Sequence, residues 1–122
     1  MSDKALLDIL GYKLMYAVRD PSINRFDCIL SGDVKAKSLI ALHKSLRIFD
    51  SEQSEIIREI VVESIDEAIY NFLDMLEQNE ETMKLFISQY GNNGKNVVEI
   101  SDGLSGELFT EDGWKAKFSQ HK

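Results

Sequence analysis

The chain has 122 residues, 43% of them hydrophobic and 29% charged, with 14 Lys/Arg against 21 Asp/Glu and a net charge of −7. That length suits one domain with a single core and no disulfide staple, read as residues 1–122 with a helical part (1–81) and a hairpin and terminal helix (82–122) packed on it. No apolar run approaches the ~20 residues of a membrane span, and Asp3 and Asp8 interrupt any basic-then-apolar leader. A pI near 4.8 argues against nucleic acid as a partner, because phosphate neutralisation needs Lys and Arg.

Ser2 is a credible N-cap for a first helix over about 3–19. Its main apolar stripe is Leu6, Leu7, Leu10, Leu14, Ala17 and Val18; Ile9, Tyr12, Met15 and Tyr16 form a second. A helix apolar nearly all round is either central or shared with another subunit. Gly11 costs it about 1 kcal/mol of helix propensity and marks a close helix approach. Asp20-Pro21 reads as a turn or a fresh start, with Asp20 as cap and Pro21 in the first helical position. A short helix carrying Ile23, Phe26, Cys28, Ile29 and Leu30 then ends at Gly32. Cys28, the one cysteine, excludes an internal disulfide and fits a reducing cytoplasm; its apolar setting, FDCIL, predicts a buried, inert thiol.

A further helix spans about 33–49. Leu39, Ile40, Leu42, Leu46 and Phe49 form its core face, and Lys35, Lys37, Lys44 and Arg47 carry much of the positive charge. His43 has no second ligand at metal-binding spacing and reads as an ordinary, partly exposed histidine. The break at 49–51 is so short that this helix and the next should pack antiparallel.

Residues 50–81 read DSEQSEIIREIVVESIDEAIYNFLDMLEQNEE, one long amphipathic helix with Ser51 as cap. At about 100° per residue, Ile57, Ile60, Val61, Ile65, Ala68, Ile69, Phe72, Leu73, Met75 and Leu76 fill one broad side. Glu52, Glu55, Glu59, Glu63, Asp66, Glu67, Asp74, Glu77 and Glu81 occupy the remaining arc, with Tyr70 among them. The segment holds eleven acidic residues and one basic, a net of −10 that exceeds the charge of the whole chain. Like charges at i,i+4, such as Glu55, Glu59 and Glu63, each cost a few tenths of a kcal/mol, so helix stability alone does not select them. The face is either solvated, neutralised by the basic first third of the chain, or offered to a basic partner. Arg58, Ser64 and Asn71 fall on the apolar side. Arg58 and Asn71 need polar partners there, in the core, at its edge or lining a pocket.

Beyond residue 81, two apolar runs (83–88 and 96–100) flank a Gly/Asn turn at 90–95 and predict a hairpin; the rival is a helix running on through Tyr90. A last helix over 111–118, capped by Thr110, places Trp114 and Phe118 on one face to dock the tail. GNNGKN matches neither phosphate-binding glycine loop, Cys28 has no evident base, and His121 lies at a fraying terminus. No catalytic residue, metal or cofactor is nominated. Asp102, Ser105, Glu107, Thr110, Glu111 and Asp112 are rich in oxygen, but their spacing is not that of an EF-hand, and turn formation and capping account for Asp102, Thr110 and Glu111.

The tail SDGLSGELFTEDGWKAKFS, residues 101–119, resembles the closing segment of a family of small uncharacterised bacterial proteins that ends in a DGL-x-GE, EDGW-x-A-x-FS pattern; residues 51–78 are more weakly similar to that family's long helix. The resemblance implies a bacterial source and a helix-then-hairpin order, with no activity to carry over.

The expected fold is α+β, predominantly α: a helical bundle with one long central amphipathic helix, a small C-terminal β-hairpin and a short terminal helix. The leading functional expectation is a non-enzymatic cytoplasmic interaction protein. It would present Glu52, Glu55, Glu59, Glu63, Asp66, Glu67, Tyr70 and Asp74 to a basic protein partner, in the manner of a toxin-neutralising immunity protein. The alternatives are a structural homodimer through the first helix, and a small-molecule binding protein or enzyme with a site at Asp102, Glu107, Glu111, Asp112 and Trp114. Neither nucleic acid nor membrane is an expected partner.

Overall fold

A computed structural model describes residues 2–89 and 93–121. It is an α+β, mostly helical fold. In order come α1 (Asp3–Leu14), a π turn (Met15–Arg19), α2 (Asp20–Ser31), α3 (Lys37–Leu46), α4 (Ser51–Gln78), strands β1 (Phe86–Ile87) and β2 (Lys95–Asn96), α5 (Val97–Ile100), a 3-10 turn (Leu104–Glu107) and α6 (Trp114–Phe118). No helix among the described residues is long and apolar enough to cross a membrane.

The chain does not turn at Asp20-Pro21. Proline lacks an N–H and its ring crowds the carbonyl four residues back, which normally ends or kinks a helix. Here the preceding turn widens, the Asp20 N–H donating to Met15 O, and the helical path runs on into α2. Ser22 Oγ donates to Val18 O at 2.7 Å. Arg19 and Asp20, at this joint, are both buried. α2 stops at Gly32, whose φ of 89° lies in the left-handed region that favours glycine. The ring of His43 lies against it, and His43 Nδ1 stands 2.9 Å from Ile29 O near the end of α2.

α3 is shorter than the sequence pattern suggests and buries none of its residues. It rests mainly on α2 rather than running antiparallel along α4. The expected core face is therefore only partly covered: Leu42 remains 52% exposed and Phe49 38%.

α4 is capped by Asp50, not Ser51. Asp50 Oδ1 accepts from the Gln53 N–H at 2.8 Å while Gln53 Oε1 accepts from the Asp50 N–H at 3.0 Å, a reciprocal box that satisfies two N–H groups at once. The 28 residues span about 42 Å. The buried core of Leu7, Leu10, Met15, Ile69, Leu73, Leu76, Val97, Leu104, Leu108 and Trp114 gathers around the C-terminal half of this helix. Its first buried residue is Asp66. The inward side is thus centred on Asp66, Ile69, Leu73 and Leu76, rotated from the middle of the apolar arc toward its acidic edge. Much of the apolar side is left outside: Ile60 is 60% exposed, Phe72 43%, and Ala68 is also exposed.

The hairpin is minimal. Phe86 pairs with Asn96 and Ile87 with Lys95, antiparallel. Part of the turn expected at 90–95 lies outside the described residues. The second expected strand, 96–100, is mostly helix. The Asn96 side chain accepts from the Val98 N–H at 3.2 Å, capping α5; that local cap prevails over the β preference of Val97 and Val98. The rival helix through 83–89 is not formed, since α4 ends at Gln78. α6 begins at Trp114 with Gly113 as N-cap. Thr110 is not its cap; the Thr110 carbonyl instead accepts from the Gly113 N–H, closing a turn. Trp114 is fully buried, and a Cβ built at Gly11 would lie 2.3 Å from its ring carbons. Gly11 is the gap in α1 through which the indole packs.

Candidate functional site

The long helix carries two polar regions of opposite character. One is buried. Arg19 Nε stands 2.5 Å from Asp66 Oδ1 and Arg19 Nη2 3.3 Å from Asp66 Oδ2, a two-pronged pairing. Lys115 Nζ approaches Asp66 Oδ2 to 3.6 Å. Arg19 Nη1 donates to Ser119 Oγ at 2.7 Å and also to the His121 carbonyl. Asp20 accepts from Ser119 Oγ at 2.6 Å and from the Gln120 N–H at 3.0 Å. Two cations and two carboxylates meet where the α1–α2 joint, α4 and the tail converge. Each carboxylate is engaged by donors, and the cluster ties the tail to the α1–α2 joint and α4.

A second chain continues from it to the surface. Arg58 Nε donates to Asp27 Oδ1 at 2.8 Å and Nη2 to Asp27 Oδ2 at 3.1 Å. The hydrogen bonds from Arg58 hold the Asp27 carboxyl below its usual value of 3.8, against an opposing push from burial; the same bonds raise Arg58. His121 bridges onward, its Nδ1 3.5 Å from Arg58 Nη2 and its Nε2 2.6 Å from Asn24 Oδ1. Those contacts fit a ring that accepts at Nδ1 and donates at Nε2. His121 is half-buried and contacts Arg58 and Asn24 on its two sides. Arg58 has found its partner across the α2–α4 contact, while Asn71 is exposed.

The other region is exposed. Glu52, Glu55, Glu59, Glu63 and Glu67 all face solvent, and none is in an ion pair among the described residues. The remaining members of the expected partner-binding set are drawn into the fold. Asp66 is buried on Arg19 and presents no surface, which corrects its placement on the outer face. Tyr70 is half-buried and stacks on Phe109 with ring centroids 6.4 Å apart. Asp74 is half-buried, and Glu77 accepts from the Ser105 N–H at 2.5 Å. The acidic arc is therefore divided: its C-terminal half is covered by the segment after residue 100, and its N-terminal half is open. Beside the open glutamates lie exposed Ile56 (57%) and Ile60.

The tail residues are scattered rather than convergent. Trp114 is inside the core, Glu107 accepts from Ser101 Oγ at 3.0 Å, and Asp102, Glu111 and Asp112 are exposed. A shallow concavity of about 240 Å³ is lined by Phe109, Thr110, Glu111, Lys115 and Ala116, with neither Asp102, Glu107 nor Trp114 on it. Among the described residues no group of three or more His, Cys, Asp or Glu could hold a metal ion. A larger open groove, about 870 Å³, runs between α2 and the start of α3 past Val18, Pro21, Cys28, Val34 and Leu39. Cys28 is half-buried there rather than enclosed in the core.

Sequence reasoning missed Arg19, and it read Asp20 as a turn or helix cap rather than as a buried carboxylate. The only signal was a charged Arg-Asp pair interrupting an apolar helix just before the single proline. No protein-family model, curated protein or solved structure matches the chain.

Proposed function

We propose that this is a non-enzymatic interaction protein that binds a basic protein partner through the open acidic side of α4. The observation that carries the reading is the set of five exposed glutamates, Glu52, Glu55, Glu59, Glu63 and Glu67, none of them in an ion pair among the described residues. Among the described residues the basic residues of the first third form no ion pairs with them; Arg58 attracts Glu55, and the like-charge contacts along the rest of the row remain. A partner bearing Lys and Arg relieves them and is steered toward them at low salt. The adjoining Ile56 and Ile60 supply apolar area at the rim of the charge. A toxin-neutralising immunity protein is one concrete form of this activity, by analogy of size and acidity.

The test is capture of partners from the native host by the wild-type protein and by the triple variant Glu55→Lys, Glu59→Lys, Glu63→Lys. The wild type should retain a basic protein that elutes with salt and that the variant loses. Recovery of the same partners by both proteins removes the proposal.

A homodimer through the outer stripe of α1 is a second reading, favoured by the exposed, stacked pair Tyr12 and Tyr16, whose ring centroids are 5.7 Å apart. A monomer by sedimentation at high concentration removes it.

A further inference from the structure

The outward side of α4 has a spacing of its own. Ile57, Val61, Ser64, Ala68, Asn71 and Met75 follow one another at alternating intervals of four and three residues. That is the 3.5-residue period of a coiled-coil seam, distinct from the inward stripe of Ile69, Leu73 and Leu76. Along this seam Ile57, Val61 and Met75 are half-buried and Ser64, Ala68 and Asn71 are exposed, and Ile60 and Phe72 flank it at 60% and 43% exposure. From residue 57 to 75 it measures about 27 Å, the length of some 18 residues of a second helix. Small side chains at its middle, Ser64 and Ala68, let a neighbouring backbone come close, and a lone amide within a seam fixes the register of whatever pairs with it.

The charge beside the seam decides which helix fits. At about 100° per residue Glu52, Glu55 and Glu59 fall on the far face of the helix, but Glu67, at one edge of the seam, and Glu63 behind it are both exposed. A second copy of this chain, also at −7, would set the same glutamates against one another in an antiparallel pair, and like charges at such an edge oppose association. Anionic membranes and nucleic acids are repelled for the same reason. A helix with Lys or Arg beside an apolar stripe satisfies both the seam and its edge.

We infer that the outward side of α4 is the seat of one basic amphipathic helix, contributed by the partner, laid along Ile57–Met75 with Asn71 setting its register. This deepens the proposed function and rests on it.

The probe is a synthetic peptide of about 21 residues, three heptads, with Leu and Ala at 3.5-residue spacing and Lys or Arg on its flanks, compared with a scrambled peptide of the same composition by fluorescence anisotropy. The patterned peptide is expected to bind at least about 10-fold tighter than the scrambled one, a difference that one misplaced seam contact can erase. Ala68→Glu separates shape from charge, because it obstructs the seam while making the surface more acidic. It should weaken the patterned peptide at least about 10-fold and leave the scrambled one unweakened. The double variant Glu63→Lys, Glu67→Lys should weaken both peptides. Equal binding of the two peptides, both salt-sensitive, overturns the helical seat and leaves the acidic-surface reading standing. Binding of neither peptide overturns both. If sedimentation shows a dimer that Ala68→Glu converts to a monomer, the occupant is a second copy and the inference is wrong.

Discussion

Arg19 and Asp66 are 47 residues apart in the chain and meet at 2.5 Å, both out of reach of solvent. This pair explains how α4 can turn the edge of its acidic arc inward. The carboxylate enters the core because the π turn before Pro21 delivers a guanidinium to it. The tail then closes over both through Ser119 and His121.

Breaking that pair from one side should be costly. Arg19→Met leaves Asp66 with only Lys115 nearby and is expected to lower stability by about 3–5 kcal/mol, as for other buried charges deprived of a partner. The double variant Arg19→Met, Asp66→Leu should recover much of the loss. Urea denaturation of the four proteins checks this; additive losses would show that the two residues are not coupled.

The tail should behave as a structural element. Deleting the residues from Ser119 onward removes groups that satisfy buried Arg19 and Asp20, and each buried polar group left unsatisfied costs about 1–3 kcal/mol. A fall in Tm is the expected readout. An unchanged Tm would mean that the tail rests on the surface without supporting the fold.

Gly11 makes room for Trp114. Gly11→Ala gains helix propensity of about 1 kcal/mol, but its Cβ would lie 2.3 Å from the indole. Overpacking of that kind costs about 1–3 kcal/mol, so the net effect should be destabilising. Gly106→Ala is the control, because a Cβ there meets nothing within 4 Å. Thermal melts of the two variants should separate clearly.

The Asp27–Arg58 pair gives a pH signature. Arg58 holds the Asp27 carboxyl below 3.8 in the folded protein, so the unfolded chain takes up the proton first. The contribution to stability is present above pH 3.8 and is lost as pH falls through the lower folded value. Because the pair is partly solvated, with side chains 28% and 37% exposed, the effect should stay under about 1 kcal/mol. Asp27→Asn should cost stability near neutral pH, and that cost should disappear in acid. A difference from wild type that persists unchanged into acid would contradict the assignment.

Local chemistry made much of this fold legible in the sequence. Gly32 ends α2, the helix over residues 51–78 follows its periodicity, and Gly11 and Trp114 each announced close packing. The features that stayed hidden depend on distant partners. Asp66 belongs to the acidic arc by every local measure, and only Arg19, two residues before the proline, makes it a core residue. The apolar arc of α4 was readable, but its width could not say which part the rest of the chain would cover. Val97-Val98 suggested a strand, and the cap at Asn96 turned it into α5. Of the candidate site, the open glutamates were visible as charge; the outward seam became visible once the inward side was fixed by Ile69, Leu73 and Leu76.

The central claim is that the open side of α4 is a binding surface, and amide chemical-shift mapping during titration with the basic patterned peptide tests it most directly. Shifts should concentrate on the outward residues Ile60, Ser64, Ala68 and Asn71 and on the adjoining glutamates Glu63 and Glu67, leaving Leu73, Leu76 and the tail from Trp114 to Ser119 undisturbed. Shifts centred instead on the groove beside Cys28 and Leu39, or on the tail, would contradict the account.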